Sequence, residues 1–459
     1  MRLKNILSAY LSSVVLSLAV IALVVSSSPI SAVAMTGGNS NLEPLARLAV
    51  SANPAESAPA LTALRNQGPA GLDMLFRVYA SEIARHVTEP AATGATDPRW
   101  LRLTAALDAV SQQRDSYASG LYWYTDLEKA KAAARAEGKP ILSLRLLGNL
   151  TEEFSCANSR FFRAILYPDP AVSALLREHF ILHWRSVRPA PRVTIDFGDG
   201  RKLERTLTGN SIHYILDSDG RPLDAIPGLY GPKAFLSELA RAENLFRLIA
   251  SLTGRDKDAA LRSYHLAAKR STTSQWQADI LRAGVIMNAD DSIAEADGAP
   301  KSAQQAAPVA VNKAAIELKT VRLVADGNRV SVATPAPGDE STAWQKIAAL
   351  HDGEVKLDAR SIAVIRSQYH TLRPTHEALL RIINNLERNM AIDTVRNRYL
   401  LHSRIHQWFV DGVVKQDVDS LNERVYARLF LTPGSDPWLG LVTPDTFSGL
   451  VDDGVIGHQ

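Results

Sequence analysis

Cys156 is the one cysteine among 459 residues. It stands three residues before Ser159 and four before Arg160, at the entrance to a stretch, residues 159–166, that reads as helix. A sulfur at a helix start gains from the unpaired backbone N–H groups and the dipole there, which favour thiolate over thiol. Arg160 falls on the same helix face and adds positive charge, and Ser159 can hydrogen-bond the sulfur. The chemistry open to such a group is a mixed disulfide with glutathione or with a protein partner. The competing expectation is an inert sulfur, because cysteine is among the most buried residue types. A single cysteine excludes an intramolecular disulfide, a Cys-x-x-Cys dithiol and a Cys-rich zinc site.

His402 and His406 are four apart on a predicted helix, so one face offers both imidazoles to a metal. No third ligand stands at a motif spacing; Glu387 and Asp411 are conceivable ones. A pair at this spacing is more often a packed or solvated face, so no metal and no cofactor are expected. Arg145 lies among Leu144, Leu146 and Leu147 in an apolar run and needs a partner if buried, for which Asp196 and Glu153 are candidates. Residues 184–189, Trp-Arg-Ser-Val-Arg-Pro, read as a solvated loop or as a basic and aromatic rim. The chain has no Gly-rich phosphate loop, Gly-x-Ser-x-Gly elbow, His-Glu-x-x-His or Cys-x-x-Cys-His motif, which argues against nucleotide, hydrolase, zinc-protease and c-haem chemistry.

These residues need elements to hold them. Residues 42–113 repeat leucines at helical spacing, with a break at Gln67-Gly68-Pro69. Residues 126–137 predict a helix that Gly138 and Pro140 end; 141–147 predict a strand; 170–179 a helix; 180–184 a strand. Residues 193–197 and 203–207 flank Gly198-Asp199-Gly200 and predict a hairpin. A strand over 212–216 and a helix over 233–249 complete an α/β arrangement. Residues 288–305 and 334–340 are linker-like in composition, with a weak hairpin pattern over 315–332. Helical periodicity resumes over 342–430, and the end of the chain is rich in Pro, Gly and Asp.

The α/β section resembles a thioredoxin-like domain. The resemblance rests on the order of Trp123 to Ala130, Gly138-Lys139-Pro140-Ile141-Leu142, Cys156-Ala157-Asn158-Ser159, Asp169-Pro170-Ala171-Val172, Phe180-Ile181-Leu182, Tyr214 to Gly220, and Pro227-Gly228. It covers about a quarter of the chain. The fold it implies is an α/β thioredoxin-like sandwich over 121–250, flanked by an N-terminal helical cap (35–120), a helical extension (251–286), a flexible linker (287–341) and a C-terminal all-helical domain with its tail (342–459). The resemblance makes Cys156 the equivalent of the first active-site cysteine and Ser159 the replacement of the second. It puts Ser211 where the family's loop places a proline opposite the thiol. His213, two residues on, is then a candidate base for the sulfur. Ser211 and His213 are the expected substrate-contacting pair. Without a resolving thiol, a full thiol–disulfide exchange cycle within this chain is not possible.

Composition bounds the rest. Hydrophobic residues make up 46% and charged residues 22%, enough apolar surface for a sizeable core. The net charge of +3 includes Arg2 and Lys4 at the very start, so the body is nearly balanced and offers no strong electrostatic case for nucleic acid or an acidic membrane. Arg2 and Lys4, an uncharged apolar run over 6–25 and Ala32-Val33-Ala34 form an export-signal pattern, with cleavage expected after Ala34 and an uncleaved membrane anchor as the alternative. Both place the body on the extracytoplasmic side, periplasmic in a bacterium. The expected function is an exported, non-catalytic protein-binding module with a degenerate redox site; the alternative is a monothiol oxidoreductase that uses Cys156.

Overall fold

The structure is a computed structural model that describes residues 42–88, 97–206, 210–285, 340–369, 372–414 and 417–430. The expected export signal, the stretch over 315–332, nearly all of the expected linker and the C-terminal tail lie outside these residues. No described helix is long and apolar enough to cross a membrane.

The first five described helices are α1 (Leu42–Ala49), α2 (Pro54–Asn66), α3 (Pro69–Val78), α4 (Ala80–Thr88) and α5 (Pro98–Ser111). Three of them begin on proline, whose missing N–H costs nothing in the first turn. The side chains of Asn53 and Asp97 cap α2 and α5 by accepting from Ala55 N and Arg99 N. Their apolar stripes meet in a core of their own, with Leu64, Leu75, Leu103, Leu107 and Val110 fully buried.

Next come α6 (Leu127–Glu137), β1 (Ile141–Leu147), α7 (Ala157–Phe161), α8 (Pro170–His179), β2 (Ile181–Arg188), β3 (Arg192–Asp196), β4 (Lys202–Thr206), β5 (Ser211–Leu216), β6 (Pro222–Pro227) and α9 (Pro232–Ile249). Asp126 and Asp169 cap α6 and α8. The main sheet has the order β2-β1-β5-β6. β1 runs parallel to β2 and antiparallel to β5, and β5 runs antiparallel to β6. β1 is buried at every position, as a central strand covered on both faces must be. β3 and β4 form a separate two-stranded hairpin whose first strand alternates exposed and half-buried side chains.

Three elements differ from the sequence expectation. β2 continues through Arg188, so residues 184–188 are strand and not loop. The helix expected over 159–166 is split: α7 ends at Phe161 and a wider, π-type turn, Phe162–Leu166, follows. β6 is new. Its bounding residues Pro222 and Pro227 and its internal Asp224 speak against a strand, but an edge strand tolerates proline.

The remaining helices among the described residues are α10 (Gly254–Ala283), α11 (Glu340–Ala349), α12 (Ala359–Gln368), α13 (His376–Arg396), α14 (Ser403–Val410) and α15 (Val418–Arg428), with a π-type turn, Asn397–His402, joining α13 to α14. The sequence places a domain boundary between residues 250 and 342. The apolar core runs across it, from Ala118 through the sheet to Phe430 as one cluster. Two glycines permit the contact. A Cβ on Gly228, which has φ +77°, would lie 2.4 Å from Asn397 Nδ2, and one on Gly231 would lie 2.5 Å from the Glu354 carbonyl. Asn397 Nδ2 donates to the Leu229 carbonyl at 2.8 Å, and Thr394 Oγ1 accepts from Gly231 N at 2.9 Å.

Candidate functional site

Cys156 is the residue immediately before α7, at the end of a loop leaving β1. Gly148, at φ +73°, lets that loop turn back on itself; a Cβ there would come within 3.0 Å of Ser155 Cα. The return is fixed by Cys156 N donating to the Leu147 carbonyl at 3.0 Å. The sulfur therefore sits at the carboxyl end of the central strand. Across from it, β5 opens with Ser211, which pairs in register with Leu146.

Three of the expected residues come together. Cys156 Sγ lies 2.8 Å from Ser211 Oγ and 3.4 Å from Ser159 Oγ. Ser159 Oγ is also 2.7 Å from Ser155 Oγ and 2.8 Å from the Cys156 carbonyl. All four residues are buried, Cys156 at 0% exposure. Arg160 does not close this ring: its Nη2 donates to Thr206 Oγ1 at 3.0 Å, at the end of β4. His213 shares the Ser211 face of β5, but its Nε2 is 2.8 Å from the Tyr167 hydroxyl, and the ring packs beside Phe162 and Phe235. Burial pushes the His213 pKa down to about 3. In this arrangement it is a neutral wall of the core, in contact with Tyr167 where a base for the sulfur was expected.

The sulfur is roofed by a part of the chain that local sequence could not connect to it. The Asn210 carbonyl lies 3.7 Å from Sγ and also accepts from the Tyr426 hydroxyl of α15 at 3.1 Å. Asn422, one turn before, reaches the Tyr214 hydroxyl at 3.3 Å. Asp419, at the start of α15, accepts from Arg145 at 2.8 Å and from Arg185 at 3.0 Å. Arg145 thus has a partner, Asp419, in place of Asp196 or Glu153; its own side chain is 1% exposed. Burial lowers the Arg145 pKa and the Asp419 carboxylate works against that. Trp184 forms no rim beside the thiol: it is buried, and its Nε1 donates to the Gln112 carbonyl at 2.8 Å.

His402 and His406 lie elsewhere, against β6. The ligands considered for them are engaged apart from them: Glu387 accepts from Lys356 and Leu357, and Asp411 from Gln407. The residue that meets them is Asp224, whose Oδ1 is 3.1 Å from His402 Nε2 and 3.9 Å from His406 Nδ1. Burial opposes charge on His402, but Asp224 outweighs it and raises the pKa. His265 of α10 completes the group, its Nδ1 2.8 Å from His406 Nδ1. Asp224 and His265 were missed. Asp224 lies on a short strand bounded by Pro222 and Pro227, which give no strand signal.

No family model, no characterised protein and no solved structure matches the chain.

Proposed function

We propose that the protein is an exported, thioredoxin-like binding module whose redox site is closed. The sheet order, with β1 central and only β5 reversed, supports that fold, as does a lone sulfur at the start of the helix after β1 with Ser211 opposite it. The carrying observation is the sulfur's complete burial under Asn210 and the Tyr426 end of α15. A thiol that must attack a disulfide needs access, and one without a resolving partner cannot release the product within the chain. What such a scaffold offers is surface. The β3–β4 hairpin supports this role: it stands apart from the main sheet and leaves Phe197 55% exposed near its tip. The export signal over residues 1–34 supports placement outside the cytoplasm.

The test is alkylation of the native protein with iodoacetamide from pH 5 to 9, followed by mass measurement. The closed reading expects no adduct without denaturant and one adduct with it. Fast native labelling with a lowered apparent pKa would instead favour the monothiol reading, in which Cys156 captures a partner's thiol or disulfide. That second reading is supported by the sulfur's place at the start of α7, and it requires α15 to move away. The mass of the mature chain tests export: cleavage after Ala34 leaves a product beginning at Met35.

A further inference from the structure

The Asp224 and His402 cluster joins three regions that are far apart in sequence. β6 supplies Asp224, α10 supplies His265, and the segment spanning the π-type turn and α14 supplies His402 and His406. All four residues are buried. One oxygen of Asp224 and one nitrogen each of His402 and His406 lie within 4.8 Å of one another. We propose that Asp224, His402 and His406, with His265 packed against His406, form a buried site for one divalent transition metal of the zinc class.

Four observations carry this. First, the donor set is imidazole and carboxylate, the set that zinc and its neighbours take with ligand bonds of about 2.0–2.2 Å. Asp224 Oδ1 and His402 Nε2, 3.1 Å apart, are close enough to share one such ion. Second, the tautomers converge. His265 Nε2 is 2.9 Å from the Leu223 carbonyl, which can only accept, so this nitrogen carries the proton and His265 Nδ1 presents a lone pair. That lone pair faces His406 Nδ1 at 2.8 Å. At that distance an N–H···N hydrogen bond joins the two rings and holds His406 in place.

Third, the outer atoms of the donors are held as second-shell partners hold metal ligands. The Tyr264 hydroxyl donates to Asp224 Oδ2 at 3.2 Å, Leu223 holds His265, and Glu238 Oε2 stands 3.8 Å from His402 Nδ1. A carboxylate beyond a histidine fixes the ring and raises its basicity toward a metal. Fourth, the burial of all three donors suits an ion held inside the fold. Asp224 and His402 are 178 residues apart, so an ion here would clasp the C-terminal helices to the sheet edge.

The experiment uses the purified full chain carrying no affinity tag. Elemental analysis after growth with added zinc is expected to give about one ion per chain. Stripping with a strong chelator at neutral pH should lower the thermal midpoint by about 5–10 °C, and Zn(II) but not Mg(II) should restore it. Co(II) added to the stripped protein should give the visible bands of four-coordinate cobalt. Asp224→Asn and His406→Gln should each weaken binding at least tenfold. Failure of the wild-type chain to take up either ion, with the midpoint unmoved by metal or chelator, overturns the site and leaves a proton shared within a hydrogen-bonded cluster. Should the variants not fold, the wild-type titration still decides. Variants that fold and bind as tightly as wild type overturn the assignment of these residues.

Discussion

Two buried polar sites stand at different ends of the same sheet. At the end of β1 the groups around Cys156 are hydroxyls and a carbonyl, with His213 close by and held uncharged by burial. At the β6 edge the groups are charged or charge-seeking: Asp224 against His402, with His406 and His265 behind. The first site replaces one set of weak hydrogen bonds with another and is forgiving. The second takes a carboxylate out of water and depends on its partners, because an uncompensated buried charge is far more costly than an unmade neutral contact.

The largest effect should therefore come from the β6 edge. Asp224→Asn keeps the shape and removes the charge, and should destabilise the fold by about 3–5 kcal/mol in urea denaturation. A loss under 1 kcal/mol would erase the contrast between the sites.

Acid should reveal the neutral side. Burial pushes His183 and His213 down to about 3, against 6.5 for a free histidine. Below pH 6.5 the unfolded chain takes up protons that the folded chain refuses, so stability should fall by about 1.4 kcal/mol per pH unit for each of them. His351 has the opposite sign. Burial alone would lower its pKa, but hydrogen bonds to Glu354 and Asp279 raise it, so its contribution is present below 6.5 and lost as pH rises through its folded value. Denaturation midpoints from pH 4.5 to 8 for wild type and His213→Phe check both: the variant should show the shallower acid slope.

Asp419→Ala should cost about 1–3 kcal/mol, since it strands the Arg145 guanidinium while Asp419 itself is half-exposed. Tyr426→Phe removes one hydrogen bond to Asn210 and should cost about 1 kcal/mol, while raising the native alkylation rate of Cys156. Cys156→Ser should be smallest, within about 1 kcal/mol, because a hydroxyl can occupy the same ring of hydrogen bonds.

The two sites also differ in how far the sequence exposes them. The thiol ring was largely legible. β1 and α8 fall at their expected residues, helix-start chemistry singled out Cys156, and the resemblance put Ser211 opposite it. Its roof was not legible, because Tyr426 lies 216 residues from Asn210 and Asp419 lies 274 from Arg145. Periodicity and caps report on neighbours within a turn or a strand, whereas these contacts are chosen by packing of the whole core. The His402 and His406 spacing was visible, but its acidic partner sits on a strand that two prolines disguise.

Asn210 accepts a hydrogen bond from a helix that begins only at Val418. A chain made from its amino end adds more than two hundred and fifty residues after its sulfur before that part of the cover exists. Cys156 is thus sheltered in the finished molecule by a cover of which α15 is the last part to be made. A chain ending short of α15 is therefore expected to label faster at Cys156 than the whole one.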